Sequence, residues 1–142
     1  MCDAASMTRT DEERSSLCLA CGLCCQGVLH DLVPLDEDEL ALAERLHLPV
    51  VESPLRVAFR LPCPRLDERR CTVYLERPRT CASYACELLR SFGAGEIDAP
   101  TALARVTATR EQSAEVARRA GDPSRAQAAQ ELARMRTTWF DP

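Results

Sequence analysis

The sequence predicts a small α+β fold, a cysteine-rich segment with a short β-hairpin and helices followed by a C-terminal α-helical hairpin. Three observations carry that expectation. Four cysteines fall within Cys18-Leu-Ala-Cys21-Gly-Leu-Cys24-Cys25, and four more follow at Cys63, Cys71, Cys81 and Cys86. Short apolar runs, broken by prolines and charged turns, fill the middle of the chain. Two alanine-rich stretches of helical spacing close it.

The elements follow in order. Residues 1–16 are polar and read as a disordered tail, in which Cys2 has no neighbours to complete a site. The segment 17–92 is the cysteine-cluster domain, and 93–142 is a helical extension. Gly22, between the second and third cysteines, stands where a tight fold needs positive φ. After Gly27 the apolar run to Val33 reads as a short strand ended by Pro34. Asp36 with Glu39 forms a capping-box pair for a helix that carries Leu40, Ala43 and Leu46 and stops before Pro49.

Val57 to Leu61 reads as a strand. Asp67-Glu68-Arg69-Arg70 reads as the turn of a hairpin that sets Cys63 and Cys71 on opposing strands. Cys81 and Cys86 are five residues apart, so one regular helix cannot aim both at one point. The expectation is therefore a helix that starts near Ala85, with Arg77 to Cys81 wrapped as a loop. Residues 101–120 and 124–136 read as helices joined through Gly121-Asp122-Pro123, with Ser124 as N-cap. Their apolar stripes are thin, so the pair must pack on another part of the chain or on a protein partner.

Composition narrows the function. Nine cysteines is an odd number, which suits a disulfide framework poorly. The chain shows no signal peptide at its start and no apolar run long enough for a membrane span, which together with the thiols points to the cytoplasm. The net charge of -4 argues against a nucleic-acid surface. There is no phosphate loop, nucleophile elbow or zincin helix, so no catalytic signature stands out beyond a redox centre.

What remains is metal chemistry. Thiolates are strong ligands, and C-x-x-C spacing brings two of them onto one ion through a turn. A core this small rarely supplies more than about 3–5 kcal/mol, whereas a structural zinc adds roughly 10–16 kcal/mol of apparent binding energy to the folded form. The metal donors are then Cys18, Cys21, Cys24, Cys25, Cys63, Cys71, Cys81 and Cys86. Eight thiolates suit two four-thiolate zinc sites, while Cys18, Cys21 and Cys24 also match the three-ligand run of an iron–sulfur cluster. Adjacent cysteines project apart, so Cys24 and Cys25 serve different metals, or one supports a site without binding. His30 and His47 are available, but the cysteines already suffice.

C-x-x-C-G-x-C-C (Cys18 to Cys25), Cys63-x2-Leu66 and Cys71-x2-Tyr74-x2-Arg77-Pro78-x2-Cys81-x2-Tyr84-x-Cys86 resemble, in that order, the cysteine-cluster family of zinc- or iron-chelating domains (CxxCxxCC, YkgJ-like). The resemblance spans about residues 17–86 and leaves the terminal helices outside. It implies a small bacterial domain that binds zinc or iron, and similar domains within a flagellin lysine methylase imply an association with protein methylation. In that reading Pro78 fixes the loop that presents Cys81, and Arg77 balances thiolate charge. Three functions stay open: a metal-binding cysteine-cluster protein, an iron–sulfur redox or electron-transfer protein, and a metal-stapled module that presents its terminal helices to a protein.

Overall fold

Apolar residues on both faces of Val57-Ala58-Phe59 make this run a central strand. In the computed structural model, which describes residues 9–141, Ala58 and Phe59 are both buried. The chain divides into two compact units. One is Gly22–Tyr84; the other joins the described residues up to Cys21 to those from Ala85 onward.

In the first unit, β1 (Leu32–Leu35) and β2 (Val50–Ser53) flank β3 (Arg56–Arg60), both antiparallel to it. Val33 and Val50 both stand opposite Phe59. Pro34 was expected to end the first strand but lies inside β1, opposite Ala58. An edge strand tolerates this, because one side of its backbone has no ladder to complete. The run after Gly27 is turn rather than strand.

A 3₁₀ turn (Glu37–Glu39) leads into the helix α2 (Leu40–Arg45); α1 is Asp11–Cys21 of the other unit. The expected capping box between Asp36 and Glu39 is present. Leu35, Ala43, Leu46, Leu48 and Phe59 form the core of this unit, and Cys63 and Cys81 pack against it. A hairpin is also present, as β4 (Leu66–Asp67) and β5 (Arg70–Cys71), but Cys71 stands opposite Leu66. Cys63 lies before β4 rather than on the opposing strand as expected, because the strands are only two residues long. Its second strand stops at Cys71, and Tyr74–Glu76 is a 3₁₀ turn.

Arg77 and Pro78 are loop as expected, but the loop does not extend to Cys81. Arg79–Ser83 forms a short helix, α3, and a second helix, α4 (Glu87–Gly93), begins after Cys86. The break falls at Tyr84, whose backbone is extended (φ −68°, ψ 131°). It removes the need for one helix to present two cysteines five residues apart.

The second unit is helical. Residues 1–8, including Cys2, lie outside the described residues, so the expected tail concerns them only in name. From Asp11 the expectation fails, because α1 runs through Cys21. Thr10 and Glu13 start it with reciprocal bonds, Thr10 N–H to Glu13 Oε2 at 2.9 Å and Glu13 N–H to Thr10 Oγ1 at 3.1 Å. This T-x-x-E capping box was legible in the sequence.

Asp98 caps α5 (Ala99–Arg118) by accepting the Thr101 N–H at 2.8 Å. Helix α6 (Arg125–Trp139) returns along it. Ser124 makes no side-chain cap; Asp122 accepts the Ser124 N–H instead, at 2.8 Å. Leu17, Leu88, Phe92, Ala102, Val106 and Phe140 are buried in this unit. The terminal helices thus share a unit with α1 and α4, so the compact units do not follow a boundary at residue 92.

Candidate metal centre

Gly22 opens the cysteine loop of the first unit with φ +64°, as its place between cysteines predicts. A Cβ there would collide with the Arg69 carbonyl oxygen and come within 3.0 Å of its carbon. Only glycine lets the loop lie this close to the β4–β5 turn. Cys24 and Cys25 follow on tight turns, in which Gln26 N–H donates to Gly22 O at 3.0 Å and Gly27 N–H to Cys24 O at 3.1 Å.

Backbone bonds then gather the other sulfur-bearing segments. Cys63 N–H donates to Cys25 O at 2.7 Å, and Leu66 N–H to Cys63 O at 3.2 Å. Cys71 ends the strand paired to Leu66, and Thr72 N–H donates to Arg65 O at 3.0 Å. Cys81 sits in the middle of α3, against the same core as Cys63. The Cys25 loop is thus joined to the segment from Cys63 to Cys81 nearly forty residues later.

The electrostatics agree with that placement. Burial pushes the Cys81 thiol up to about 12, and the neighbouring charges of Cys63 and Cys71 add to the rise. Burial likewise raises Cys63, with Cys71 contributing after it. The three thiols thus lie within range of one another's charge. Arg77 acts in the opposite direction on Cys81. Its guanidinium also lies over the Tyr74 ring, 3.7 Å from the centroid.

Desolvated thiols with like-charged neighbours stay protonated unless a cation offsets the charge, and a bound metal does this. The donor set is soft and sulfur-only, which suits zinc or iron and not magnesium or calcium. As the side chains stand, no group of three or more His, Cys, Asp or Glu among the described residues is arranged to hold an ion. The chemistry of the donors fits a metal; the ligand cage is not closed.

Cys24 belongs to the first unit, whereas Cys18, Cys21 and Cys86 belong to the second. Cys18 and Cys21 occupy the last turns of α1, where the Cys21 carbonyl accepts from the Arg110 guanidinium of α5. Cys86 caps α4, its Sγ accepting the Leu89 N–H at 3.4 Å, and burial raises its thiol. His30 packs edge-on to Tyr84 with centroids 4.9 Å apart, and its Nε2 is buried with no hydrogen-bond partner. His47 ends α2 with a positive φ of 54°.

Two supporting side chains escaped the sequence reading. Glu39 reaches beyond its own capping box to α3, and Arg110 reaches the end of α1. A capping box in sequence shows only its own helix start, so Glu39's second contact had no signal. Arg110 sits among many arginines, and nothing set it apart.

The family model described as "CxxCxxCC: Putative zinc- or iron-chelating domain" matches residues 17–119. That span is well over half of the chain and includes α5, which the sequence resemblance had left outside. No curated protein and no solved structure matches the chain. Among the described residues, no helix is long and apolar enough to cross a membrane.

Proposed function

Because the chain belongs to this CxxCxxCC family, we propose that it holds zinc or iron through cysteine thiolates, with Cys25, Cys63, Cys71 and Cys81 grouped on one ion. The single observation that carries the grouping is the joining of the Cys25 loop to the segment from Cys63 to Cys81. Cys25 is strapped to Cys63 through the backbone, and the thiols of Cys63, Cys71 and Cys81 sense one another's charge. Cys18, Cys21, Cys24 and Cys86 are also proposed as donors, with no grouping assigned to them.

The metal would offset the charge of the thiolates and tie together a hairpin of two-residue strands, a five-residue helix and a turn. Cys25 and Cys63 would be held by the backbone bond between them, Cys71 by the hairpin register, and Cys81 by α3. Arg77 would balance part of the remaining negative charge. An odd cysteine count and thiolate ligation suit a reducing compartment, and we place the protein in the cytoplasm.

Anaerobic purification followed by metal and acid-labile sulfide analysis tests this. The proposal expects zinc or iron bound at a stoichiometry that falls in Cys71→Ser. Iron with sulfide and visible colour would favour a redox centre; zinc without colour would leave a structural role. A metal-free preparation that stays folded and takes up neither ion would overturn the proposal.

A further inference from the structure

Every helix start leaves backbone N–H groups without partners in the helix. At α3 the first of these belongs to Arg79, and the N-cap before it is Pro78, which offers no side-chain acceptor. The acceptor comes from forty residues earlier: Glu39 Oε2 takes the Arg79 N–H at 2.8 Å. The other oxygen, Oε1, takes the Asp36 N–H at 3.1 Å. Glu39 is only 4% exposed, so its carboxylate is buried with both oxygens committed to two different helix starts.

Its own capping box needs only one of these oxygens. The second reaches α3 two residues before Cys81, and the carboxylate lies within electrostatic range of that thiol. Outside, the Arg79 guanidinium bonds Asp36 Oδ2 at 2.8 Å and Asp38 Oδ1 at 2.5 Å, closing an exposed clamp over the buried one.

Resting on the metal reading above, we propose that Glu39 is a positioning residue for the metal centre: by holding the first turn of α3 it sets the place of Cys81 relative to Cys63 and Cys71. Partners that orient metal ligands typically change affinity ten- to hundredfold when removed. Glutamine cannot substitute for the carboxylate, because one of its two polar ends is a donor and would face a donor.

The test is cobalt(II) binding to the full-length reduced protein, read by affinity and by the sulfur-to-cobalt charge-transfer band. Glu39→Gln should bind at least tenfold more weakly, with a band weakened as in Cys81→Ser. Phe140→Ala, which opens a cavity in the helical unit away from that cluster, should keep the full band. If Glu39→Gln keeps wild-type affinity and band, or if Phe140→Ala loses both equally, the inference is overturned.

A second pair decides if Glu39→Gln does not fold. Arg79→Pro deletes the N–H that Glu39 accepts, at a helix position proline tolerates, whereas Arg79→Ala keeps it. Binding tenfold weaker in Arg79→Pro than in Arg79→Ala supports the inference; equal binding overturns it. A wild-type chain that takes up no cobalt sinks the metal reading and this inference together, whereas normal wild-type uptake with unaffected variants sinks this inference alone.

Discussion

The two units of this chain solve the same folding problem by different means. In the helical unit, α1, α5 and α6 run 11, 20 and 15 residues, long enough to bury apolar stripes against one another. In the unit Gly22–Tyr84 the longest strand has five residues and the second hairpin pairs strands of two. Elements that short close little hydrophobic area, and a two-stranded hairpin is marginal alone. Five cysteines, three of them sharing a charged neighbourhood, sit in that unit. The contrast teaches that five of the eight described cysteines lie in the unit with the shortest elements.

The strongest way to break this comparison is to withdraw the metal. Chelation under reducing conditions should cost the unit Gly22–Tyr84 on the order of 10 kcal/mol of apparent stabilisation. Its slowly exchanging amides should be lost while those of α5 and α6 persist. Equal exchange in both units after chelation would show that metal does not distinguish them.

Cavities come next. Phe59 and Phe140 are both essentially buried, so Phe59→Ala and Phe140→Ala should each cost about 3–5 kcal/mol in chemical unfolding. Only Phe59→Ala should lower metal retention, because Cys63 and Cys81 pack on its cluster. A loss of metal in Phe140→Ala alone would reverse the assignment.

Gly22→Ala sharpens the comparison further. The left-handed backbone alone should cost roughly 1–2 kcal/mol, and displacing the Arg69 carbonyl should shift the cysteine loop. Lower thermal stability with weaker cobalt uptake is expected; an unchanged variant would mean the loop tolerates the shift.

The smallest effect belongs to the helical unit. The Thr101 hydroxyl and N–H hold the Asp98 carboxyl below its ordinary value of 3.8. A lowered folded-state value means that Asp98 stabilises fully above pH 3.8 and that this gain disappears as pH falls through the folded value. The thermal midpoints of wild type and Asp98→Asn should therefore differ at neutral pH and converge in acid. A constant offset across that range would show that the charge contributes nothing.

Much of this was legible because it is local. The capping box at Asp36 and Glu39, the turn at Glu68-Arg69, the positive φ of Gly22 and the helices after Asp98 each follow from a few adjacent residues. Several local readings fail in the structure, among them the strand after Gly27 and the Ser124 cap. Pro34 was read as a strand end because proline cannot donate to a ladder, yet an edge position makes no such demand. The helix from Asp11 was read as tail because its residues are polar, although Thr10 and Glu13 signal its start. The ligand candidates were legible as residue types, but their grouping was not.

From the sequence alone came the α+β class, the candidate sulfur donors and the family's order of motifs, since residue identity and spacing are written in the chain. Tertiary structure alone decided that Cys25 lies beside Cys63, that Glu39 holds the helix of Cys81, and that α5 and α6 share a unit with α1. Those facts join residues dozens of positions apart, and no local propensity encodes which distant backbone donor a buried oxygen will meet.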